Sequence, residues 1–294
     1  MPLAAFYPYR SAAAKSQYLA MYERLAAEWP GGSENRVFAT SWGETFVRVD
    51  GPADGQPLVL LPGITASSLI WLQNIPGLAA ECRTYTVDRP GDVGRSTCVR
   101  PFQKPPDLVA WLDELLTAMA LTSRVNLCGL SYGGWISALY ALRHPARLRR
   151  LVLVAPGATV QRTNPEFPLR GLLMLTRSRS LIRWVLEWFM ADLARQNPAR
   201  IDLSIERILT TLRCLTPRRP VGPTVFTDAE LASLAPPTLF LAGEHEKIYS
   251  APKAVERLHR VAPQIRTELL RDAGHDLTLA QPEAVNRIML DFLR

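Results

Sequence analysis

Residues 127–134 read Leu-Cys-Gly-Leu-Ser-Tyr-Gly-Gly and contain the pattern G-x-S-x-G, centred on Ser131. An apolar run at 125–128 precedes the pattern, and a helical stretch at 135–143 follows it. This placement predicts a very tight strand-to-helix turn that holds the serine in a strained backbone conformation. Glycine is needed two residues before and two residues after Ser131, because a Cβ there would clash. The turn would present the hydroxyl above the sheet edge at a helix N-terminus, where developing negative charge is favoured.

Short, continuously apolar runs alternate with helical stretches on both sides of this turn. The runs before and after it lie at 58–61, 85–87, 125–128 and 151–154, and the clearest helices between them at 107–120 and 135–143. Two further runs follow at 238–241 and 267–270, and a helix at 282–293 closes the chain. Strands that are apolar on both faces and alternate with helices predict an α/β fold with a mostly parallel central sheet flanked by helices.

The pattern changes at both ends of the first half of the chain. A helical segment ends near Trp29, and two alternating runs at 36–40 and 44–49 predict an antiparallel hairpin. After Pro156 the strand pattern stops, and helical periodicity continues to about Pro223. We therefore predict an N-terminal helical extension at 1–35, a core at 36–156 and 224–294, and an inserted helical cap at 157–223.

A serine hydroxyl needs a base within hydrogen-bond reach before it can act as a nucleophile. Of the four histidines, His275 follows Gly274 in the loop after the last predicted strand, where it can reach the sheet edge. His259 falls within a predicted surface helix, and His144 ends the helix that starts at Ser131 and so points away from the strand ends. His275 is therefore the predicted base, and His245, beside the acid candidates, is expected to face away from the acid.

The acid that orients the base should follow a strand between the serine and the histidine. The loop 242–249 does so and offers Glu244 and Glu246. Asp272 and Asp276 lie too close to His275 in the chain to approach its ring from the far side. Either glutamate could fix the tautomer and stabilise the imidazolium.

Composition limits the other possibilities. The four cysteines are widely spaced and form no C-x-x-C pair, which argues against a zinc site or a disulfide framework. The N-terminus shows no secretory signal and no run is long enough to span a membrane, so we expect a cytoplasmic protein without stable membrane insertion. Of the net charge of +7, most lies in 157–223, where there are eleven arginines, no lysine and five acidic residues. This charge indicates either a solvated face or attraction of an anionic substrate or surface, and no nucleic-acid motif accompanies it.

With these residues in place, the chain resembles the α/β-hydrolase superfamily, in the group that carries a helical cap. Several motifs agree in order from about residue 36 to the end: Leu-Pro-Gly at 61–63, Asp-Arg-Pro-Gly-Asp-Val-Gly-Arg-Ser at 88–96, G-x-S-x-G, Gly-Glu-His-Glu at 243–246 and Gly-His at 274–275. The Asp88 loop is interpreted as a structural turn. Ser131 stands where dehalogenase and epoxide-hydrolase relatives have a nucleophilic aspartate, which makes both of those activities unexpected.

The resemblance implies the remaining site residues. In the family the acid lies three residues after the glycine, usually as aspartate, which favours Glu246 over Glu244. The implied oxyanion hole consists of the backbone amides of Ile64 and Tyr132, each contributing about 3 kcal/mol to the transition state. This chain departs from many relatives in having Pro62 where they have histidine before the glycine. That histidine is not the base, so the chemistry should survive.

The implied function is hydrolysis of a carboxylic ester-type bond of a small, largely apolar molecule through an acyl-enzyme, without metal or organic cofactor. Trp184 and Trp188 in the cap are predicted to bind the substrate's apolar group, or alternatively to pack the cap onto the core. Lactone, thioester or C–C bond hydrolysis and an acyltransferase or cyclase role use the same triad. A non-catalytic ligand-binding protein on the same fold, and a membrane-surface role for the Arg-rich cap, are the remaining alternatives.

Overall fold

The computed structural model describes residues 4, 6–216 and 219–294. The predicted extension at 1–35 and the predicted cap at 157–223 therefore each include residues outside the described part. An eight-stranded sheet forms the centre of the molecule. Its strands are β1 Glu34–Thr40, β2 Gly43–Asp50, β3 Gln56–Leu61, β4 Cys82–Val87, β5 Val125–Leu130, β6 Leu148–Val154, β7 Thr238–Gly243 and β8 Arg266–Leu270.

The strand order is β1-β2-β4-β3-β5-β6-β7-β8. The pairs β1–β2 and β2–β4 are antiparallel, and every other pair is parallel. The predicted hairpin and the predicted mostly parallel sheet with flanking helices are confirmed. Because β5 lies in the middle of the parallel part, the turn that follows it opens at the centre of the carboxyl edge of the sheet.

The helices are α1 Ala12–Ala26, α2 Ile75–Leu78, α3 Pro105–Ala118, α4 Tyr132–Arg143, α5 Glu166–Met174, α6 Arg179–Phe189, α7 Ala191–Gln196, α8 Pro198–Cys214, α9 Asp228–Ala232, α10 Ala251–Val261, α11 Leu277–Ala280 and α12 Pro282–Leu293. Two buried clusters cover the two faces of the sheet. Trp111 of α3 and Trp135 of α4 belong to one, and Trp71, Leu78 and Met289 belong to the other. Burial of both faces explains the continuously apolar runs of the inner parallel strands β3, β6 and β7, whereas the edge strand β8 is partly exposed. No helix within the described residues is long and apolar enough to cross a bilayer.

The N-terminal helix α1 packs on the body of the protein through Tyr18, Met21 and Tyr22, which are buried. The Tyr22 hydroxyl donates to Asp88 Oδ2 at 3.1 Å. Asp88 also accepts the amides of Ser68 and Arg95 at 2.7 and 2.8 Å, so its loop is fixed from three sides. Burial raises the pKa of Asp88, against the effect of these hydrogen bonds. These contacts support the interpretation of the Asp88 loop as a structural turn.

Helices α5 to α8 lie between β6 and β7 in the chain. They share a small apolar cluster, in which residues of α6 and α8 such as Ile182, Leu186, Ile201 and Ile205 are buried. Several of the arginines in this segment pair with acidic neighbours: Arg179 with Glu206, Arg183 with Asp202 and Arg170 with Glu166. These pairs balance part of the positive charge of the segment, and their side chains are at least partly exposed to solvent.

Candidate active site

Ser131 occupies the turn between β5 and α4 with φ 53° and ψ −112°, a strained conformation for a residue other than glycine. Three backbone hydrogen bonds hold it there: its amide donates to Val154, and its carbonyl accepts from Trp135 and Gly157 at 3.1 and 3.0 Å. The surrounding structure thus over-determines the strain, as is typical of functional turns. A Cβ on Gly133 would lie 2.6 Å from the carbonyls of Leu61 and Pro62, and one on Gly129 would overlap the Gly133 carbonyl. The predicted need for these two glycines is confirmed.

The structure places His275 and Glu246 together. His275 lies in the loop between β8 and α11, and its Nδ1 is 2.8 Å from Glu246 Oε2. Glu246 lies in the loop after β7, and its other oxygen accepts the Ile248 amide at 2.8 Å. Because an ionised carboxylate only accepts, Nδ1 carries the proton, which leaves Nε2 free to accept one. Both side chains are almost completely buried.

Backbone hydrogen bonds between the two loops fix this pair. The Glu244 amide donates to Leu270 at 2.9 Å and the His245 amide to Ala273 at 2.8 Å. The side chain of Glu244 is exposed, so Glu246 alone of the two candidates contacts His275.

The other three histidines are occupied elsewhere. His144 stacks on Tyr140 at 4.9 Å, and His259 Nε2 lies 2.8 Å from Thr267 Oγ1 on the surface. His245 points away from Glu246, and its Nδ1 lies 3.1 Å from Asp192 Oδ2.

The two backbone amides implied for the oxyanion hole flank Ser131. Tyr132 is the first residue of α4, and Ile64 follows Gly63, whose Cβ position is 3.5 Å from Ser131 Cβ. The loop after β3 is held by Asp92, whose Oδ2 accepts the Thr65 amide at 3.1 Å. Asp92 also pairs with Arg89, and the Arg89 guanidinium lies 4.5 Å from the Tyr132 ring centroid. The 88–96 loop therefore connects both sides of the predicted hole, a positioning role that sequence patterns did not reveal.

One cavity of about 340 Å³ brings these groups together. Ser131, Ile64 and His275 line it. The remaining wall is largely apolar, and half of its residues come from α5, α6 and α8. Phe189 lines the cavity, and its ring is tilted by 35° against the His275 ring, with the ring centroids 5.0 Å apart. Its size and lining suit a small, largely apolar molecule.

Trp184 and Trp188 do not line this cavity. Trp184 is half exposed, and the Arg170 guanidinium covers both rings at 4.0 and 4.5 Å from their centroids. The inward stripe of α6 ends instead in Val185, Leu186 and Phe189. The structure thus brings the stripe containing Phe189 to the predicted nucleophile, and places the tryptophan stripe on the outer side.

Two carboxylates that sequence reasoning did not assign connect α7 to the loops of the predicted acid and base. Asp192 is buried and contacts His245, and Asp276 Oδ2 accepts the Leu193 amide at 3.1 Å. Burial raises the pKa of Asp276 to about 6, and nearby Asp192 acts in the same direction. The partners are 53 and 83 residues apart, so no local sequence signal could have found them.

Within the described ranges, no group of three or more His, Cys, Asp or Glu side chains is arranged to hold a metal ion. The four cysteines are buried and form no disulfide with one another. The functional groups brought together at the cavity are the Ser131 hydroxyl, the His275 imidazole, the Asp276 carboxylate and the backbone amide of Ile64.

Comparison with known proteins agrees with this geometry. A model of the alpha/beta hydrolase family matches residues 58–288. The chain is 33% identical over 279 residues to carboxylesterase YbfK of Bacillus subtilis (strain 168), covering 92% of each chain. It is 31% identical over 278 residues to the uncharacterized carboxylesterase nap of the same organism, covering 94% of this chain and 92% of the relative. The crystal structure of naproxen esterase (carboxylesterase NP) from Bacillus subtilis is similar with a TM-score of 0.89 at 30% identity, covering 97% of this chain and all of the other. The chain therefore belongs to the α/β-hydrolase family.

Proposed function

We propose that this protein is a serine carboxylesterase that hydrolyses the ester bond of a small, largely apolar substrate through an acyl-enzyme. The observation that carries the proposal is that Ser131 and His275 line one apolar cavity, with Nδ1 of His275 in contact with the buried carboxylate of Glu246. The names of the two Bacillus subtilis relatives, both carboxylesterases, support the same reaction. We also propose that 157–223 acts as a cap, because α5, α6 and α8 supply the cavity wall opposite Ser131.

In the first half-reaction, His275 Nε2 takes the Ser131 proton while Oγ attacks the ester carbonyl carbon. The amides of Ile64 and Tyr132 donate to the oxyanion of the tetrahedral intermediate. Glu246 stabilises the imidazolium that forms. His275 then gives the proton to the leaving alkoxide oxygen, the C–O bond breaks, and the alcohol departs from an acylated Ser131.

In the second half-reaction, His275 removes a proton from water as the water oxygen attacks the acyl carbon. The bond to Ser131 breaks, the proton returns to its Oγ, and the carboxylic acid leaves. The sum is ester plus water to acid plus alcohol. An acyltransferase would use a second alcohol or amine at this step, so the product identifies the reaction.

The apolar cavity wall also predicts where specificity arises. Phe189, Met174 and Leu175 face the same space as Ser131. We infer that they bind an apolar acyl or alcohol group. The predicted cytoplasmic location is compatible with four buried cysteines that form no disulfide with one another.

The test is hydrolysis of p-nitrophenyl esters from acetate to laurate by the parent, Ser131→Ala and Ser233→Ala. Ser233 is exposed at the end of α9 and provides a matched serine-to-alanine control. We expect turnover by the parent and the Ser233 variant, and a loss of roughly 10⁴-fold or more for the Ser131 variant. Equal rates for all three proteins would refute the assignment of Ser131. Product analysis with added methanol distinguishes hydrolysis from acyl transfer.

A further inference from the structure

Helix α8 presents one continuous face to the active-site cavity. Its cavity-lining residues are Ser204, Arg207, Ile208, Thr211 and Leu212, which recur at the i, i+3, i+4, i+7 and i+8 spacing of a single helical face. Arg207 lies in the middle of that face. A guanidinium there is unexpected, because the rest of the wall is largely apolar.

Arg207 is the one arginine among the described residues that lines this cavity. Four other cap arginines, Arg170, Arg179, Arg183 and Arg195, each contact a carboxylate. Arg207 has no hydrogen bond or ion pair with any residue in the part of the chain that the structure describes. Burial lowers the pKa of its guanidinium, so the charge is partly desolvated.

The titratable side chain that interacts with Arg207 does not neutralise this charge. Tyr18 of α1 interacts electrostatically with Arg207, but burial raises the Tyr18 pKa well above its usual value, so the phenol stays neutral. Asp276, the other charged residue of the cavity wall, lies beside His275 and forms no ion pair with Arg207. A partly desolvated cation without a partner favours an anion from outside the chain.

The position of Arg207 also fits a ligand that extends away from Ser131. Arg207, Ser204, Ile70 and Leu279 line both the active-site cavity and a neighbouring pocket of about 310 Å³ at the junction of α1 and α8. Arg207 is therefore at the end of the cavity that borders the second pocket. An ester held at Ser131 can direct its far end toward this wall.

We propose that Arg207 forms an anion subsite, and that the preferred substrates are esters that carry a carboxylate at the end remote from the scissile bond. Monoesters of linear dicarboxylic acids are the simplest molecules of this class. The guanidinium fork would bind the free carboxylate in a bidentate manner, and the apolar wall would cover the methylene chain. This inference rests on the proposed esterase function.

The test compares monomethyl with dimethyl esters of glutaric, adipic, suberic and sebacic acids at pH 7.5, with kcat and KM measured from methanol release. The variants are Arg207→Gln and Arg213→Gln. Arg213 is exposed on the last turn of the same helix and lines neither the active-site cavity nor the neighbouring pocket. For at least one monoester we expect Arg207→Gln to lower kcat/KM about 10- to 100-fold, mainly through KM, because a hydrogen bond to a charged group is lost. The matching dimethyl ester should change less than about threefold, and Arg213→Gln should change neither.

Equal losses for monoester and diester, or an unchanged ratio, would overturn the subsite. If Arg207→Gln does not fold, Arg207→Met fits the apolar wall and replaces it. Calorimetric titration of monomethyl adipate into Ser131→Ala, with and without Arg207→Gln, measures the subsite independently of turnover. Parent protein that hydrolyses no ester would refute the proposed function, whereas equal binding by the two Ser131→Ala proteins would refute the subsite alone.

Discussion

Replacement of Glu246 by glutamine tests the orientation of His275 more sharply than removal of the side chain, because glutamine has nearly the same shape. The two carboxylate oxygens have separate donors, His275 Nδ1 and the Ile248 amide, each at 2.8 Å. A glutamine offers only one oxygen for these two places. Its NH₂ group must therefore face a position that now presents a donor.

The two orientations of the glutamine amide have different consequences. If its oxygen faces His275, its NH₂ opposes the Ile248 N–H, which costs about 1–3 kcal/mol as an unsatisfied buried donor. If its NH₂ faces His275, the imidazole avoids that cost by moving its proton from Nδ1 to Nε2. The second arrangement is favoured, and it leaves Nε2 unable to accept the Ser131 proton.

The expected loss follows from the wrong tautomer together with the missing negative charge. We expect kcat/KM of Glu246→Gln to fall roughly 10³- to 10⁴-fold, as is typical when the acid of a triad becomes an amide. This corresponds to about 4–5.5 kcal/mol of transition-state stabilisation. Glu246→Asp keeps the charge but is one methylene shorter, and misplacement of this kind costs about 10²-fold.

The assay is p-nitrophenyl ester hydrolysis together with the rate of fluorophosphonate labelling, which reports the nucleophilicity of Ser131. Nitrogen-15 shifts of the His275 ring give the tautomer directly. Glu244→Gln is the matched control, because the Glu244 side chain is exposed and lies two residues before Glu246 in the same loop. The reasoning fails if Glu246→Gln stays within tenfold of the parent, or if Glu244→Gln loses as much activity.

Three further outcomes follow from particular contacts. The pKa of Asp276 is about 6 in the fold against 3.8 ordinarily, so the native state binds more protons between these values and stability falls as pH rises through them. Asp276→Asn lacks this penalty, so the difference between its free energy of unfolding and that of the parent should shift by about 2–3 kcal/mol in favour of the variant between pH 4 and 7. Urea denaturation measures both free energies, and a difference that stays the same at both pH values would contradict the prediction. Gly133→Ala should destabilise the protein by about 3 kcal/mol or more, because the new Cβ would meet backbone carbonyls. Gly171 is a helical glycine with open space around it, so Gly171→Ala should be neutral or stabilise the protein by up to about 1 kcal/mol. Similar denaturation midpoints for the two variants would refute the packing argument. Phe189→Ala should lower kcat/KM for the longer esters about tenfold through lost contacts in the cavity, whereas kcat/KM of Trp184→Ala should stay within about threefold of the parent value. A larger loss for Trp184→Ala than for Phe189→Ala would instead support a substrate-binding role for the tryptophans.

Local sequence patterns were sufficient for the elements that are buried on both sides. The predicted runs at 125–128 and 238–241 fall within β5 and β7, and the predicted final helix has the bounds of α12. Boundaries were less accurate where strands begin with polar residues. The strand β4 begins at Cys82, whereas the apolar run predicted a start at Tyr85. Arg83 lies in the strand, and its guanidinium extends to the Gly51 carbonyl. A charged residue of this kind interrupts the apolar pattern, so the pattern missed the first residues of the strand.

The strand order could not be read from the chain, since it depends on pairings between distant segments. β3 lies between β4 and β5, and only the register of Leu58 with Thr84 and Asn126 shows this. The same limit applied to α6. Both of its stripes are apolar, so periodicity alone did not decide whether Phe189 or Trp184 faces the cavity.

In the candidate site too, some residues were predictable from local sequence patterns, whereas others are recognised only by their contacts in the structure. The prediction of Ser131 rested on a local mark, namely the glycines at fixed offsets in the tight turn after the buried strand β5. His275 was predicted from its place in the loop after the last predicted strand, and only the family resemblance favoured Glu246 over Glu244. Arg207 leaves no such mark, because it is one of eleven arginines in a helical segment. Only the contacts separate it from its neighbours: paired arginines on the outer face satisfy their charge, whereas Arg207 lines the cavity without a carboxylate. Leaving a partly buried charge unpaired works against folding, and an apolar residue would fit the same helical face. The proposed anion subsite accounts for an arginine at this position, because a carboxylate that binds there would supply the missing negative charge.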